Sequence, residues 1–168
     1  FPLGLAVRNA LKKTINQHVP IELKWPNDIL VGGKKCVGML HAADGSTGCV
    51  ILGLGINVNQ ESQLTDRTSL KMVSGKALNR WTVLNEILTA IGTQLAPILS
   101  SIIDADAWNA HASYLGKPVQ VLDRELITGE FRGIDSHGAA LIQTSDGIKR
   151  TLVGANFRLI EGCIEDRQ

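Results

Sequence analysis

Apolar residues at Leu3, Val7, Ala10, Leu11 and Ile15 recur at intervals of three and four, with Lys12, Lys13 and Asn16 off that stripe. This spacing predicts an amphipathic helix over Leu5–Gln17. Pro20 ends the connection and the period changes to two: Ile21-Glu22-Leu23-Lys24-Trp25 alternates as a strand does. Pro26-Asn27-Asp28 is turn chemistry, Ile29-Leu30-Val31 returns to extended structure, Gly32-Gly33 signals a two-residue hairpin, and Lys35 to Ala42 is the returning strand. Asp44-Gly45-Ser46-Thr47-Gly48 marks another turn. Cys49 to Val58 is mostly apolar with two glycines, which predicts a central strand buried on both faces. The pattern is a meander of hairpins, not a βαβ alternation.

Asn59 to Lys76 is polar and irregular, and a connection of that length is usually functional or mobile. Trp81 to Ser100 carries a helical stripe of Leu84, Ile87, Leu88, Ile91, Leu95 and Ile98, with Thr82 as N-cap and Asn85 at the capping-box position. Asp104 is expected to cap a second helix through Ala112. Trp81 and Trp108 are both expected in the core. After Gly116 the character changes: Val119–Leu122, Ile127–Ile134, Ala139–Thr144, Ile148–Val153 and Phe157–Ile160 read as five short strands between glycine and polar turns. The expected fold is α+β: a mixed or antiparallel sheet with helices on one face over residues 1–115, then a small SH3-like β-barrel over 116–168. The second unit is small enough that it is expected to pack against the first.

Composition narrows the function classes. A net charge of +1 gives no basic footprint for nucleic acid. No apolar run reaches transmembrane length, and no secretory signal pattern opens the chain. The three cysteines, Cys36, Cys49 and Cys163, are odd in number and widely spaced, which argues against disulfides and structural zinc and for a reducing, cytoplasmic setting. The chain opens Phe1-Pro2-Leu3, without Met and inside a helical pattern, and reads as a fragment.

Three stretches carry candidate chemistry. Lys24-Trp25-Pro26-Asn27-Asp28 compresses a cation, a turn and a carboxylate into the end of a strand; taken alone it reads first as a well-formed turn and only second as a functional stretch. Lys34-Lys35-Cys36-Val37-Gly38-Met39-Leu40 sets a lysine pair before an apolar strand, with Lys35, Val37 and Met39 expected on one face and Cys36, Gly38 and Leu40 on the other. A lysine at the mouth of an apolar slot suits a ligand with a greasy tail and an anionic head; the plainer reading is lysines blunting an edge strand. Gly53-Leu54-Gly55-Ile56-Asn57-Val58-Asn59 places glycines where a ligand or backbone approaches closely, and Asn57 supplies an amide that donates and accepts. Gly53-x-Gly55 lacks the third glycine and following helix of a dinucleotide fingerprint.

Taken in order and spacing, Lys-Trp-Pro-Asn-Asp, Lys-x-x-Gly-x-Leu and Gly-x-Gly-Ile-Asn-Val-Asn resemble the biotin protein ligases, and the similarity extends through Leu115-Gly116-Lys117-Pro118-Val119 to the small β unit. The resemblance implies an enzyme that activates biotin with ATP and Mg²⁺ to biotinyl-adenylate and passes the biotinyl group to a lysine of a biotin carboxyl carrier protein. It implies Lys35 at the biotin carboxylate and α-phosphate, with Lys24 as a second phosphate-side cation. Asp28, with Asn27, would support magnesium or the triphosphate. Gly38, Met39, Leu40, Gly53, Leu54 and Gly55 would wall the biotin slot, Asn57 would contact ATP or the adenylate, and the loop from Asn59 would order over the adenylate. Some relatives carry a preceding winged-helix domain that represses biotin synthesis genes.

Two departures stand out. The Arg- and Gly-rich loop of the family is not among these residues, so the core is expected to be N-terminally truncated and a poor catalyst alone. His41-Ala42-Ala43 stands where many relatives have an acidic residue. His18, His111 and His137 are isolated and read as surface or turn residues, His41 reads as structural, and Asp123-Arg124-Glu125 reads as a solvated hairpin tip. The rival readings are a lipoate or octanoate transferase of the same broad fold and a non-catalytic biotin-binding regulator. A homodimer through Cys49–Gly55 is expected only if that strand lies at a sheet edge.

Overall fold

A computed structural model describes residues 1–15, 18–44, 46, 49–61, 64–99, 103–122, 125–151 and 156–160. The first helix, α1 (Pro2–Thr14), buries Gly4, Ala6, Val7, Ala10 and Leu11, the face the heptad-like spacing marks, and Pro2 sits in its first turn, where a missing N–H costs nothing. Four antiparallel strands follow: β1 (Ile21–Lys24), β2 (Asp28–Val31), β3 (Lys34–Asp44) and β4 (Cys49–Ile56), ordered β1-β2-β3-β4. Gly32 and Gly33 have φ of 59° and 76°, the positive pair that a tight β2–β3 hairpin requires. α1 packs on the face of this sheet that carries Leu23 and Met39; a Cβ built on Gly4 would meet their side chains at 3.5 and 3.4 Å.

Three expectations fail here. Among the described residues β4 is an edge strand, with Val50, Ile51 and Leu52 55%, 69% and 40% exposed, and is not a central strand buried on both faces. Its apolar composition misled because hydrophobicity alone does not say which neighbours a strand has. The clear helix begins earlier, as α3 (Arg80–Thr93), capped by Asn79, whose Oδ1 accepts from the N–H groups of Trp81 and Thr82; Thr82 is not the cap. It breaks at Gln94 before α4 (Leu95–Leu99). Val83 and Ile87 form its buried face toward α1, whereas Leu84, Leu88 and Leu95 lie exposed and Trp81, 77% exposed, is not core. The stripe was wide enough to present two faces, and only one meets α1.

The polar connection after β4 contains α2 (Leu70–Ser74), N-capped by Ser69. Asp104 caps α5 (Ala105–Asn109) by accepting from Ala107 N–H, and Trp108 is buried, as the sequence indicates. His111–Ser113 then runs beside β1: Leu23 N–H donates to His111 O, Ser113 N–H donates to Leu23 O, and the Leu23–Ala112 bridge is parallel.

The five expected C-terminal strands are present as β5 (Pro118–Leu122), β6 (Leu126–Ile134), β7 (Ala140–Thr144), β8 (Gly147–Thr151) and β9 (Asn156–Leu159), in the antiparallel order β8-β7-β6-β5-β9. Among the described residues β8 and β9 remain edges, so the sheet is not a closed barrel. A register shift between Phe131 and Ile134 bends β6. Val119, Val121, Phe131, Ile142 and Phe157 join one buried cluster with Leu11, Trp25 and Trp108, so this sheet packs on the first unit as its small size requires. Cys163 and the Asp123-Arg124 hairpin tip lie outside the described residues; Glu125 pairs with Lys149.

Candidate functional site

The geometry turns on one extra residue. Asp28 faces Gly38 and Ile29 faces Val37, but Leu30 faces Lys35, so Cys36 has no opposite partner and β3 bulges there. Cys36 and Val37 are consequently both buried. The bulge also moves Lys35 off the face of Val37 and Met39, where uninterrupted alternation would place it. Lys35 instead lies over Gly38: a Cβ at Gly38 would sit 3.4 Å from Lys35 Cε and 3.5 Å from its Nζ. The ammonium pairs with Asp28 Oδ1 at 2.6 Å, with Asp28 12% exposed and Lys35 36%. No hydrogen bond from any other described group reaches that buried oxygen.

Beside this pair the sheet is bare. Gly38 faces Gly55 and Leu40 faces Gly53 across β3–β4, so Asp28, Gly38, Leu40, Gly53 and Gly55 share one face. A Cβ at Gly53 or Gly55 would make only ordinary contacts, the nearest at 3.6 and 3.8 Å. The glycines therefore leave a shallow floor of exposed backbone flanked by Leu40, 72% exposed. A cation–carboxylate pair at the end of an open, side-chain-free strip can seat an extended apolar ligand with an anionic head.

Lys35, Asp28, Gly38, Leu40, Gly53 and Gly55 are thus brought together. Met39, 8% exposed, and Leu54, half-buried against the core, point to the opposite face. Lys24 faces Asp28 in the β1–β2 register, at the same end of the sheet. Asn27 is committed to holding the turn: its Nδ2 donates to Met39 O at 2.7 Å and its own carbonyl accepts from Met39 N–H at 2.8 Å. Asn57 donates from Nδ2 to Thr68 O at 3.1 Å, which ties β4 to the following loop. His41 is exposed and pairs with Leu52 in the β3–β4 register.

The loop is less irregular than its sequence suggests. Lys35 N–H donates to Asp66 O and Thr68 N–H donates to Lys35 O, so residues 66–68 run parallel to the bulge and brace its backbone. Asn59 bonds Leu78 in both directions, at 2.8 and 2.9 Å. Asp66, Arg67 and Thr68 were missed as neighbours of Lys35 because their only signal is polarity. Burial pushes the Cys36 thiol up to about 12, which makes it an inert filler of the bulge. Among the described residues no group of three His, Cys, Asp or Glu side chains could hold a metal ion.

Comparison with known proteins identifies relatives of both sheets. The Biotin/lipoate A/B protein ligase family profile matches residues 2–57 and the Biotin protein ligase C terminal domain profile matches residues 114–156. The Bifunctional ligase/repressor BirA of Bacillus spizizenii is 33% identical over 144 residues, covering 79% of this chain and 44% of the relative. The Biotin--[acetyl-CoA-carboxylase] ligase of Paracoccus denitrificans is 29% identical, covering 88% of this chain and 67% of the relative. The chain spans about half the length of the BirA relatives it matches. Among solved structures, the biotin protein ligase of Aquifex aeolicus superposes with a TM-score of 0.80 at 34% identity, covering 95% of this chain and 73% of that one. The same enzyme in complex with biotin and ATP gives 0.82 at 35%, covering 94% and 69%. No helix of the described residues is long and apolar enough to cross a membrane. With matching profiles at both ends and a superposition through most of its length, the chain belongs to the biotin protein ligase family.

Proposed function

We propose that this chain carries part of the site that joins biotin to ATP, and that the protein to which it belongs transfers the biotinyl group to a lysine of a biotin carboxyl carrier protein. The observation that carries this reading is the Lys35–Asp28 pair at the end of the Gly38–Gly55–Gly53 floor. The ureido and thiophane rings of biotin would lie toward the floor and Leu40, with the carboxylate reaching Lys35. Attack of a carboxylate oxygen on the α-phosphorus forms the acyl–phosphate bond and expels pyrophosphate. Negative charge builds on the α-phosphate oxygens during that step, where a fixed ammonium stabilises the transition state more than the ground state. The carrier lysine amine then attacks the acyl carbon and AMP leaves. Lys24 is the second phosphate-side cation, Asn57 contacts the nucleotide through its remaining carbonyl oxygen, and the loop from Asn59 covers the adenylate. In Met39 and Leu54 the slot uses backbone, since their side chains are turned to the core.

Magnesium fits this donor set in one way. Asp28 offers a single carboxylate, already paired with Lys35, and Mg²⁺ is commonly held by one carboxylate with waters and phosphate oxygens. Asp28, oriented by Asn27, would hold an ion that arrives with the nucleotide. When bound, that ion neutralises phosphate charge.

We further propose a division at residues 1–115 and 116–168, supported by the change of sheet at Gly116, and self-association along the exposed β4 edge, read by sedimentation of the chain. Repression would require a DNA-binding domain outside this sequence. The test of the main reading is pyrophosphate release by the full-length protein with ATP and biotin, lipoate or octanoate. Release with biotin alone, followed by labelling of a carrier lysine, is expected. Release with lipoate moves the function to the sister transferases, and the absence of release with any of the three acids favours a non-catalytic biotin-binding regulator.

A further inference from the structure

The Lys24–Asp28 turn is polar apart from Pro26 and Trp25, and Trp25 is 1% exposed. Its ring does not fill the core of its own sheet alone. It meets Phe157 of β9 edge-on at 5.7 Å, and Phe157 in turn contacts Phe131 at 4.9 Å and stacks on Tyr114 at 6.3 Å. Its indole Nε1 donates to the carbonyl of Gly138 at 3.0 Å, in a buried hydrogen bond spanning 113 residues of sequence.

The Gly138 carbonyl is itself held in place. Asp135 Oδ1 accepts from His137 and Ala139 N–H at 2.8 and 3.1 Å, Gly138 N–H donates to Asp135 O at 2.9 Å, and Arg150 pairs with the Asp135 carboxylate. Gly138 has φ of +80° and Phe1 lies against it; a Cβ there would fall 2.2 Å from the Phe1 ring. Only glycine satisfies both conditions. A packing role needs an apolar ring; it does not need a donor aimed at an acceptor fixed by its own turn. The bond sets the rotation of the indole; through the peptide to Lys24 on one side, and through Pro26 on the other, it bears on where Lys24 and the Asn27–Asp28 pair stand. Asn27 passes that placement to β3 through Met39, and Asp28 passes it to Lys35.

We infer that Trp25 is a positioning residue through which the C-terminal sheet fixes the placement of the site turn. The inference rests on the biotin-activation reading above. It is tested by Trp25→Phe, which keeps an aromatic ring against Phe157 and removes the donor, beside Ile142→Val, a core change in the C-terminal sheet away from the turn. In full-length protein well below both unfolding temperatures, Trp25→Phe is expected to lower kcat for biotin-dependent pyrophosphate release about 10- to 100-fold. KM for biotin should stay within about twofold, and Ile142→Val should keep the wild-type kcat. An unchanged kcat in Trp25→Phe, or an equal fall in Ile142→Val, overturns the inference. A wild-type protein that releases no pyrophosphate defeats the functional reading instead, and amide NMR shifts then decide the positioning claim. Shifts at Asn27, Asp28 and Gly38 in Trp25→Phe support it and their absence overturns it. If Trp25→Phe does not fold, Asp135→Ala, which loosens the Gly138 carbonyl from the other side, is read by the same shifts with the same two outcomes.

Discussion

Replacing Lys35 by methionine should destabilise the fold more than replacing its partner Asp28 by asparagine. The two atoms are 2.6 Å apart. At an effective dielectric of about 20 the gross attraction is about 6 kcal/mol, but Lys35 is 36% exposed, and solvent screening brings the net value of such pairs toward about 0–1 kcal/mol. The asymmetry lies in what each deletion leaves behind. Lys35→Met retains the stem over Gly38 and strands the Asp28 Oδ1, a buried oxygen with no other described donor; an unsatisfied buried acceptor costs about 1–3 kcal/mol. Asp28→Asn frees an ammonium that can turn to water, at about 0–1 kcal/mol. For a chain of this size the first loss corresponds to a fall in Tm of about 3–9 °C. Urea denaturation of both single variants and the double variant measures it, and the double should cost less than the sum of the singles. Asp28→Asn proving as destabilising as Lys35→Met would refute the reasoning. In the full-length protein, Lys35→Met should also reduce pyrophosphate release about 10²- to 10³-fold; near-normal release would remove Lys35 from its proposed role.

Gly55→Val has room for its Cβ, 3.8 Å from the nearest atom, so stability should change by less than about 1 kcal/mol, while biotin affinity measured by calorimetry should collapse as the methyl groups fill the floor. Iodoacetamide at pH 8 should modify exposed Cys49 and spare Cys36, whose thiol is pushed up to about 12 by burial; peptide mass spectrometry separates the two. Burial acts to raise the Asp135 pKa but is outweighed by the backbone bonds from His137 and Ala139 and by Arg150, so the carboxyl is held below its usual value. Its stabilisation is complete above the ordinary carboxylate range and is lost as pH falls through the depressed folded pKa. Asp135→Asn should therefore flatten the loss of stability below about pH 4, as read by Tm against pH.

The hairpins were legible because β1 alternates cleanly and Gly32-Gly33 readily supplies the positive φ pair that a two-residue turn requires. The C-terminal strands were legible for the same reason. The bulge was not: one residue without a partner at Cys36 leaves the local alternation Lys35-Cys36-Val37-Gly38 looking regular, yet it decides which face Lys35 occupies. β4 and the α3 stripe were misplaced because apolar spacing identifies a face that can be buried, not the element that buries it. The motif residues Lys35, Asp28, Gly38, Gly53 and Gly55 could be named from sequence, whereas Trp25 was passed over. A tryptophan inside a polar turn is the signal that could have found it, since so large an apolar group seldom sits in a turn without something to receive it.

The most direct test of the biotin site is an amide NMR titration of this chain with biotin and then with a non-hydrolysable biotinyl-adenylate. Shifts concentrated at Lys35, Gly38, Gly53 and Gly55, extending to Lys24 and Asn57 with the adenylate, are the predicted result. Saturable shifts confined elsewhere, such as the cleft lined by Arg8, Lys12 and His18, would contradict it.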